Sequence, residues 1–453
     1  MTTIFAGRAR LEAGWAENVR LSFAEGEISD IERNTKLSAG DLSVDTLLPA
    51  LSNLHSHSFQ RAMAGMTEHR AAGRDSFWTW RTLMYRFLDH ISPDQIQAIA
   101  ALTFTEMQEA GYAAVGEFHY VHHQPGGGAY DDIGELSHQI AAAAESTGIG
   151  LTHLPVFYRY GGADRKPLAG GAKRFGNGPD AFHKLMESAR TAVKALPADA
   201  RVGVAPHSMR AVAPEDLAML GDFDPARIHM HIAEQPKEVE EISEWLGARP
   251  VEWLLANQNI DDKWCLIHCT HMTPAETENL AKSGAVAGLC PITESNLGDG
   301  IFEGVDFLGH GGAFGVGSDS NIRISVNEEL RTMEYSQRLR DISRNVLADG
   351  EGSVGENLYL KAAAGSAQAM ARDAGAIRVG ALADLVAIDS SSPALVGLRA
   401  DQLLDGFVFA AGEGVVTDVW SAGRHMVRGG RHKSRDKIIA TYAKAVKDLT
   451  DAI

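Results

Sequence analysis

The strongest constraint on this chain is a recurrence. Eight apolar runs, at 48–57, 113–123, 150–159, 202–210, 228–235, 265–271, 285–295 and 313–320, each end in polar or ionisable residues. Helical stretches separate them, among them 93–110, 131–147, 179–196, 236–257 and 273–283. Eight β-then-α units predict an α/β fold, a (β/α)8 barrel of the TIM type, over 51–375. An open doubly wound sheet is the other arrangement with this alternation, but no G-x-G-x-x-G follows the first strand to mark a dinucleotide site.

The two ends of the chain have a different character. Val19-Arg20-Leu21-Ser22-Phe23 alternates, a Glu25-Gly26-Glu27 turn follows, and Ile28-Ser29-Asp30-Ile31 alternates again. The segments Asp384-Leu385-Val386-Ala387-Ile388, Gly414 to Trp420 and Arg424 to Val427 read the same way. Together they predict one small β-sandwich domain built from residues 1–50 and 376–432, closed by a helix over 433–453.

Charge narrows the partners. The 42 Lys and Arg against 59 Asp and Glu leave a net charge of −17, which repels phosphate backbones and anionic lipid. Neither nucleic acid nor a membrane is therefore expected as partner. The N-terminus lacks a basic start and a long apolar stretch, and no run approaches about 18 apolar residues, so a cytoplasmic protein is expected. The three cysteines, Cys265, Cys269 and Cys290, are too few for a disulfide framework in 453 residues. Cys265 and Cys269 flank His268 as a metal cluster would, but without a second cysteine pair they read as buried thiols.

In such a barrel the chemistry gathers at the C-terminal ends of the strands. The first strand ends in His55-Ser56-His57, and alternate residues of an extended chain face one side. The fifth ends in His229-Met230-His231-Ile232-Ala233-Glu234, the sixth in His268, and the eighth in Gly317-Ser318-Asp319. Each alone could be structural. Three imidazoles and a carboxylate on strand ends of one barrel suit Zn²⁺ or a similar first-row divalent ion, and an open position would make the site catalytic. His229 shares a face with His231; His231, nearer the strand end, is taken as the ligand.

At this point the sequence resembles a known family. Asn53-Leu54-His55-Ser56-His57, His231-Ile232-Ala233-Glu234, His268, Gly317-Ser318-Asp319 and the tail motif Gly380-Ala381-Leu382-Ala383-Asp384-Leu385-Val386 look like the amidohydrolase superfamily. None of the eight strand ends offers a lysine to bridge two metals, as in its mononuclear deaminase branch. The stretch from Asn53 to Gly65, with Phe118-His119-Tyr120-Val121-His122-His123 and Ala205-Pro206-His207-Ser208-Met209-Arg210, resembles the formimidoylglutamate deiminase family more closely.

That resemblance implies one zinc per subunit, with iron binding similar sets, held by His55, His57, His231 and Asp319. It implies hydrolysis of N-formimino-L-glutamate to N-formyl-L-glutamate and ammonia, a step of histidine breakdown. Glu234 is the expected proton carrier. His268 is placed to deprotonate or orient the water, and Asp319 to accept a hydrogen bond from it while ligating. A dicarboxylate needs local positive charge, and between Gln60 and Arg86 stand five arginines (61, 70, 74, 81 and 86) and no lysine. Arg81 and Arg210 are the expected carboxylate binders, with Gln60, Tyr120 and His207 as neutral hydrogen-bonding groups. The glycine-rich 160–178 reads as a lid or a long loop. A homodimer is implied, with Arg81 a candidate to act across subunits. The alternatives are a mononuclear-metal deaminase of a purine- or pyrimidine-like ring, and a barrel turned scaffold; the arginines disfavour the first and the complete set of reacting groups the second.

Overall fold

The computed structural model of the chain describes residues 2–69, 77–412 and 414–452, and the backbone alone at 77–79. The chain opens with four strands, β1 (Thr2–Leu11), β2 (Gly14–Ala24), β3 (Glu27–Glu32) and β4 (Leu42–Pro49). It then runs through β5 (Leu51–Ser56), β6 (Tyr112–His119), β7 (Gly150–Phe157), β8 (Arg201–Val202), β9 (Ala205–Pro206), β10 (Ile228–Ile232), β11 (Trp264–His268), β12 (Val286–Leu289) and β13 (Ala313–Val316). It leaves by β14 (Leu385–Ile388), β15 (Val416–Ser421), β16 (Arg424–Arg428) and β17 (Arg431–His432), and ends in the helix Arg435–Thr450.

β5, β6 and β7 are buried at every position, because helices cover one face of a parallel sheet and its own curvature encloses the other. β5 to β8 form one parallel sheet, with β9 also paired to β7, and β10 to β13 form another. Parallel bridges join the two at both seams, Val204 to Ile228 and Ser56 to Asp319. Backbone hydrogen bonds seal them, His229 N to Val204 O (3.0 Å) on one side, His57 N to Asp319 O (2.9 Å) and Asp319 N to His55 O (3.0 Å) on the other. The eight staves of the barrel are thus β5, β6, β7, the broken pair β8–β9, and β10 to β13. Cys265 and Cys290 sit in the packed interior with Leu54, Ala114, Ile267, Val286 and Met370, and all three cysteines are free and buried.

The terminal strands hydrogen-bond into one continuous sheet, in the order β17-β16-β15-β14-β4-β1-β2-β3. It curls so that Glu27 bridges to Leu382, enclosing a second core of Ile4, Leu21, Phe23, Leu47, Leu385 and Trp420. Arg372, fully buried, fastens this sheet to the floor of the barrel. Its guanidinium donates to Asp384 at 2.9 and 3.0 Å and to Asp199 at 3.1 Å. The Asp384 of the tail motif is therefore one arm of a buried ion-pair network.

Helix boundaries follow local chemistry. Ser92 and Gln95 form a reciprocal cap on Pro93–Glu109, and Thr273 and Glu276 do so on Pro274–Ser283. The helix expected over 236–257 is in fact two, Pro236–Leu246 and Pro250–Asn257. Gly247 adopts a left-handed conformation (φ 73°) at the end of the first, and Pro250 opens the second.

Candidate active site

At the C-terminal mouth of the barrel, His55, His57, His231 and Asp319 offer ligand atoms that all lie within 4.8 Å of one another. The Nε2 atoms of His55 and His231 are 3.0 Å apart. Asp319 Oδ1 is 3.5 Å from His55 Nε2 and 3.3 Å from His57 Nε2. The other ring nitrogens settle the tautomers. His57 Nδ1 lies 2.9 Å from Phe118 O and His231 Nδ1 lies 3.1 Å from His207 O; a carbonyl only accepts, so each Nδ1 carries the proton and each Nε2 is a lone pair. Burial keeps the rings neutral, holding His57 down to about 3, His55 to about 4 and His231 well below its ordinary value. Burial pushes Asp319 the other way, but hydrogen bonding to His55 and the neighbouring imidazoles hold it well below the usual carboxylate range. Two nitrogen lone pairs, a third imidazole nitrogen and an anionic oxygen facing one point are a divalent-cation site by the chemistry of the donors.

The backbone brings these ligands together at some cost. Ala233, His268 and Asp319, at the ends of three strands, have φ of 51°, 74° and 45°, a region that costs non-glycine residues about 1–3 kcal/mol each. Side chains hold them there. Asn321 Nδ2 donates to His57 O (3.1 Å) and Asp319 O (2.9 Å), while Ser318 joins Asn53 (2.6 Å) and Asn321 (2.6 Å) across the seam. Gly317 is required by close approach: a Cβ there would lie 2.7 Å from both N and O of His55.

A pocket opens over the cluster. It is lined by His57, His231 and Asp319 and also by Gln60, Arg81, Tyr120, His207, Arg210, Glu234 and His268. Every other site residue expected from the sequence lines it except His55, which lies fully buried behind. Gln60 Nε2 donates to the Tyr120 hydroxyl (2.7 Å), and the Tyr120 ring packs edge-on to His57. Arg81 donates to the Tyr158 hydroxyl (3.1 Å), whose ring packs on His207. Arg210 donates to Glu234 Oε2 at 3.2 Å. His268 points Nδ1 at Glu294 Oε1 (3.2 Å), with Nε2 3.9 Å from both Glu234 and Asp319. Burial would lower its pKa, but the charges of Glu234 and Asp319 and the Glu294 hydrogen bond push it up to about 10 and so favour the protonated ring.

Other expected candidates fall elsewhere. His229 bonds Ala369 O (2.8 Å), below the cluster. Arg61 faces away and pairs with Glu106 (2.7 Å). Arg70 and Arg74 lie outside the described residues, as does the side chain of Trp78, while Trp80 lines the pocket. Segment 160–178 is tied down near its end by Arg174, fully buried, which donates to the carbonyls of His123 (2.7 Å), Ile91 (3.0 Å) and Leu88. Two residues escaped sequence reading. Glu294 lies in the first turn of the helix Pro291–Leu297 that follows the seventh strand, inside the region 285–295 read as one strand end. Glu238 lies two residues into a helix, with no local signal to mark it.

A model of the amidohydrolase family matches residues 46–426. The chain belongs to the amidohydrolase family. A second model, the N-terminal domain of formimidoylglutamate deiminase HutF, matches residues 1–43. This amidohydrolase is 46% identical over its whole length, and that of the relative, to a formimidoylglutamate deiminase of Pseudomonas aeruginosa. It is 27% identical to a 5-methylthioadenosine/S-adenosylhomocysteine deaminase of Natronomonas pharaonis, over 94% of this chain and 90% of that one. An amidohydrolase crystal structure from Brucella melitensis superimposes with a TM-score of 0.96 at 45% identity, covering 99% and 100% of the two chains. A zinc-bound adenosine deaminase from Xanthomonas campestris shares the fold, with a TM-score of 0.83 at 21% identity over 99% and 98%. The chain is accordingly a metal-dependent hydrolase of C–N bonds.

Proposed function

We propose that this amidohydrolase hydrolyses N-formimino-L-glutamate to N-formyl-L-glutamate and ammonia, in the breakdown of histidine. The observation that carries the reading is the full-length 46% identity to a deiminase of that name, in a pocket that presents Arg81 and Arg210 beside the ligand cluster. Two guanidiniums near a reacting centre fit a substrate with two carboxylates, whereas a neutral ring would be served by apolar walls. Zinc is the proposed ion, one per chain, held by His55, His57, His231 and Asp319. The proposed setting is a cytoplasmic homodimer, with residues 1–50 and 376–432 as the β domain, 51–375 as the barrel and 433–453 as the closing helix.

When bound, a divalent ion lowers the pKa of a water from 15.7 toward about 7 and so supplies a nucleophile at neutral pH. The protein does the rest. Water adds to the formimino carbon, converting the C=N bond to a single bond. Glu234 takes a proton from the water as it adds and hands it to the nitrogen; the proton of the new hydroxyl follows as the C=O bond forms, so that the C–N bond breaks to release ammonia and not an amide anion. His268, 3.9 Å from both Glu234 and Asp319, orients or deprotonates the water and stabilises the developing charge, while Asp319 accepts a hydrogen bond from the water. Arg81 and Arg210 bind the carboxylates, and Gln60, Tyr120 and His207 supply hydrogen bonds around the formimino group.

The deciding experiment measures ammonia release by the zinc-loaded protein from N-formimino-L-glutamate beside adenosine, 5-methylthioadenosine and cytosine. Turnover of the dicarboxylate alone is expected; turnover of a nucleoside in its place would overturn the reading.

A further inference from the structure

One buried carboxylate touches both the proposed proton carrier and a proposed substrate-binding guanidinium. Glu238 is the third residue of the helix Pro236–Leu246, and its side chain is 0% exposed. Its two oxygens do different work from the usual first-turn glutamate. Oε1 accepts the backbone N–H of Ala233 and Oε2 that of Glu234, each at 3.2 Å. Oε2 also lies 3.6 Å from Arg210 Nε, while the same guanidinium donates through Nη2 to Glu234. Burial raises the pKa of Glu238, and Arg210 with the two N–H groups opposes that rise.

The consequence is mechanical. Ala233 holds a left-handed conformation, and Gln235, the residue before the helix, gives it no side-chain cap. The turn that carries Glu234 away from His231 therefore has little local reason to keep its shape. Glu238 supplies that reason by binding two successive N–H groups of the turn in one carboxylate, and it holds Arg210 at Nε while Glu234 accepts from Nη2. We infer that Glu238 is a positioning residue, fixing at once the main chain that aims Glu234 and the guanidinium of Arg210. The inference rests on the substrate reading above for its kinetics, though not for its geometry.

The test is a double-mutant cycle on the zinc-loaded full chain, with Glu238→Gln, Arg210→Met and the double variant assayed on N-formimino-L-glutamate, and zinc content measured for each. Glu238→Gln is expected to keep its zinc, lose about 100-fold in kcat through displacement of Glu234, and raise KM about 10-fold through Arg210. In the Arg210→Met background the KM effect should vanish, a non-additivity that a residue serving only helix stability would not show. Wild-type kinetics in Glu238→Gln, or fully additive effects, would overturn the inference. Should that variant fail to accumulate, Glu238→Asp, which withdraws the charge by one methylene, must show the same losses. Wild-type protein inert on N-formimino-L-glutamate would sink the substrate reading alone. Crystal structures of zinc-loaded wild type and Glu238→Gln would then decide: displaced Glu234 and Arg210 side chains support the inference, and unmoved ones overturn it.

Discussion

At the scale of the residue, the pocket is built from oppositely charged groups that hold one another. Arg210 is buried against Glu234 and Glu238, so truncating it leaves both carboxylates without their cation in a low-dielectric surrounding. Glu234→Gln removes the proposed proton carrier while leaving the ligand cluster intact. Zinc content near one per chain and a kcat lower by about 10²–10⁴-fold are the expected result, checked by elemental analysis beside the ammonia assay. Near-normal turnover would mean that another group carries the proton. Arg210→Met should raise KM for N-formimino-L-glutamate with zinc retained, and an unchanged KM would remove Arg210 from carboxylate binding. The histidine pattern at the strand ends was readable because ligand chemistry restricts residue type. Glu238 and Glu294 were not, because a carboxylate in the first turn of a helix looks the same whether it caps that helix or braces a neighbouring strand end.

At the scale of the element, the seam between β5 and the segment after β13 carries both the barrel's closure and three of the four ligands. Gly317 has no room for a side chain against the His55 backbone, and backbone atoms do not swing aside as a side-chain tip does. Gly317→Ala should therefore displace His55, and the measured sign is loss of bound zinc together with a lower melting temperature. A variant with full zinc occupancy would show that the seam gives way more easily than its contacts suggest. Strand order and helix placement were legible from alternation alone. The break at Gly247 was not, since an amphipathic pattern can continue across a glycine, and only the left-handed turn followed by Pro250 splits the helix. The fourth stave, read from sequence as one run over 202–210, is instead the two short strands Arg201–Val202 and Ala205–Pro206, parted at Gly203, where a Cβ would meet Arg227 O at 2.7 Å.

At the scale of the whole molecule, two features govern stability. Arg372 sits between Asp384 and Asp199 with no exposure, joining the terminal sheet to the barrel. Arg372→Met would leave buried Asp384 without its cation, Asp199 keeping its pair with Arg424 (2.7 Å), and a loss of about 3–5 kcal/mol is expected in urea unfolding. A loss below about 1 kcal/mol would mean that water reaches the site. The second feature is a set of buried neutral histidines away from the ligands. Burial holds His122 and His153 down to about 3 and His229 to about 4, against 6.5 in the unfolded chain. The unfolded state then binds more protons below pH 6.5, so their contribution is present above that value and is lost as pH falls toward 4. Each should cost up to about 1.4 kcal/mol per pH unit in that window. Metal-free protein, in which ligand protonation cannot release zinc, should show a falling urea midpoint between pH 7 and pH 5; a flat profile would refute this account.

The sequence by itself determined what local physics can encode. Eight apolar runs and their spacing pointed to a barrel over an open doubly wound sheet, alternation at both ends pointed to a terminal β domain, and the His-x-His, His, His and Asp motifs taken together pointed to a metal-binding chemistry at strand ends. Only the tertiary structure decided which side chains meet. It set Arg210 on Glu234, Glu294 on His268 and Arg372 between two aspartates, and it curled the terminal strands into one continuous sheet. These pairings join residues 12 to 173 positions apart, and the curl likewise depends on strands from opposite ends of the chain. Such contacts are selected by the packing of whole elements, and no window of sequence contains the partner.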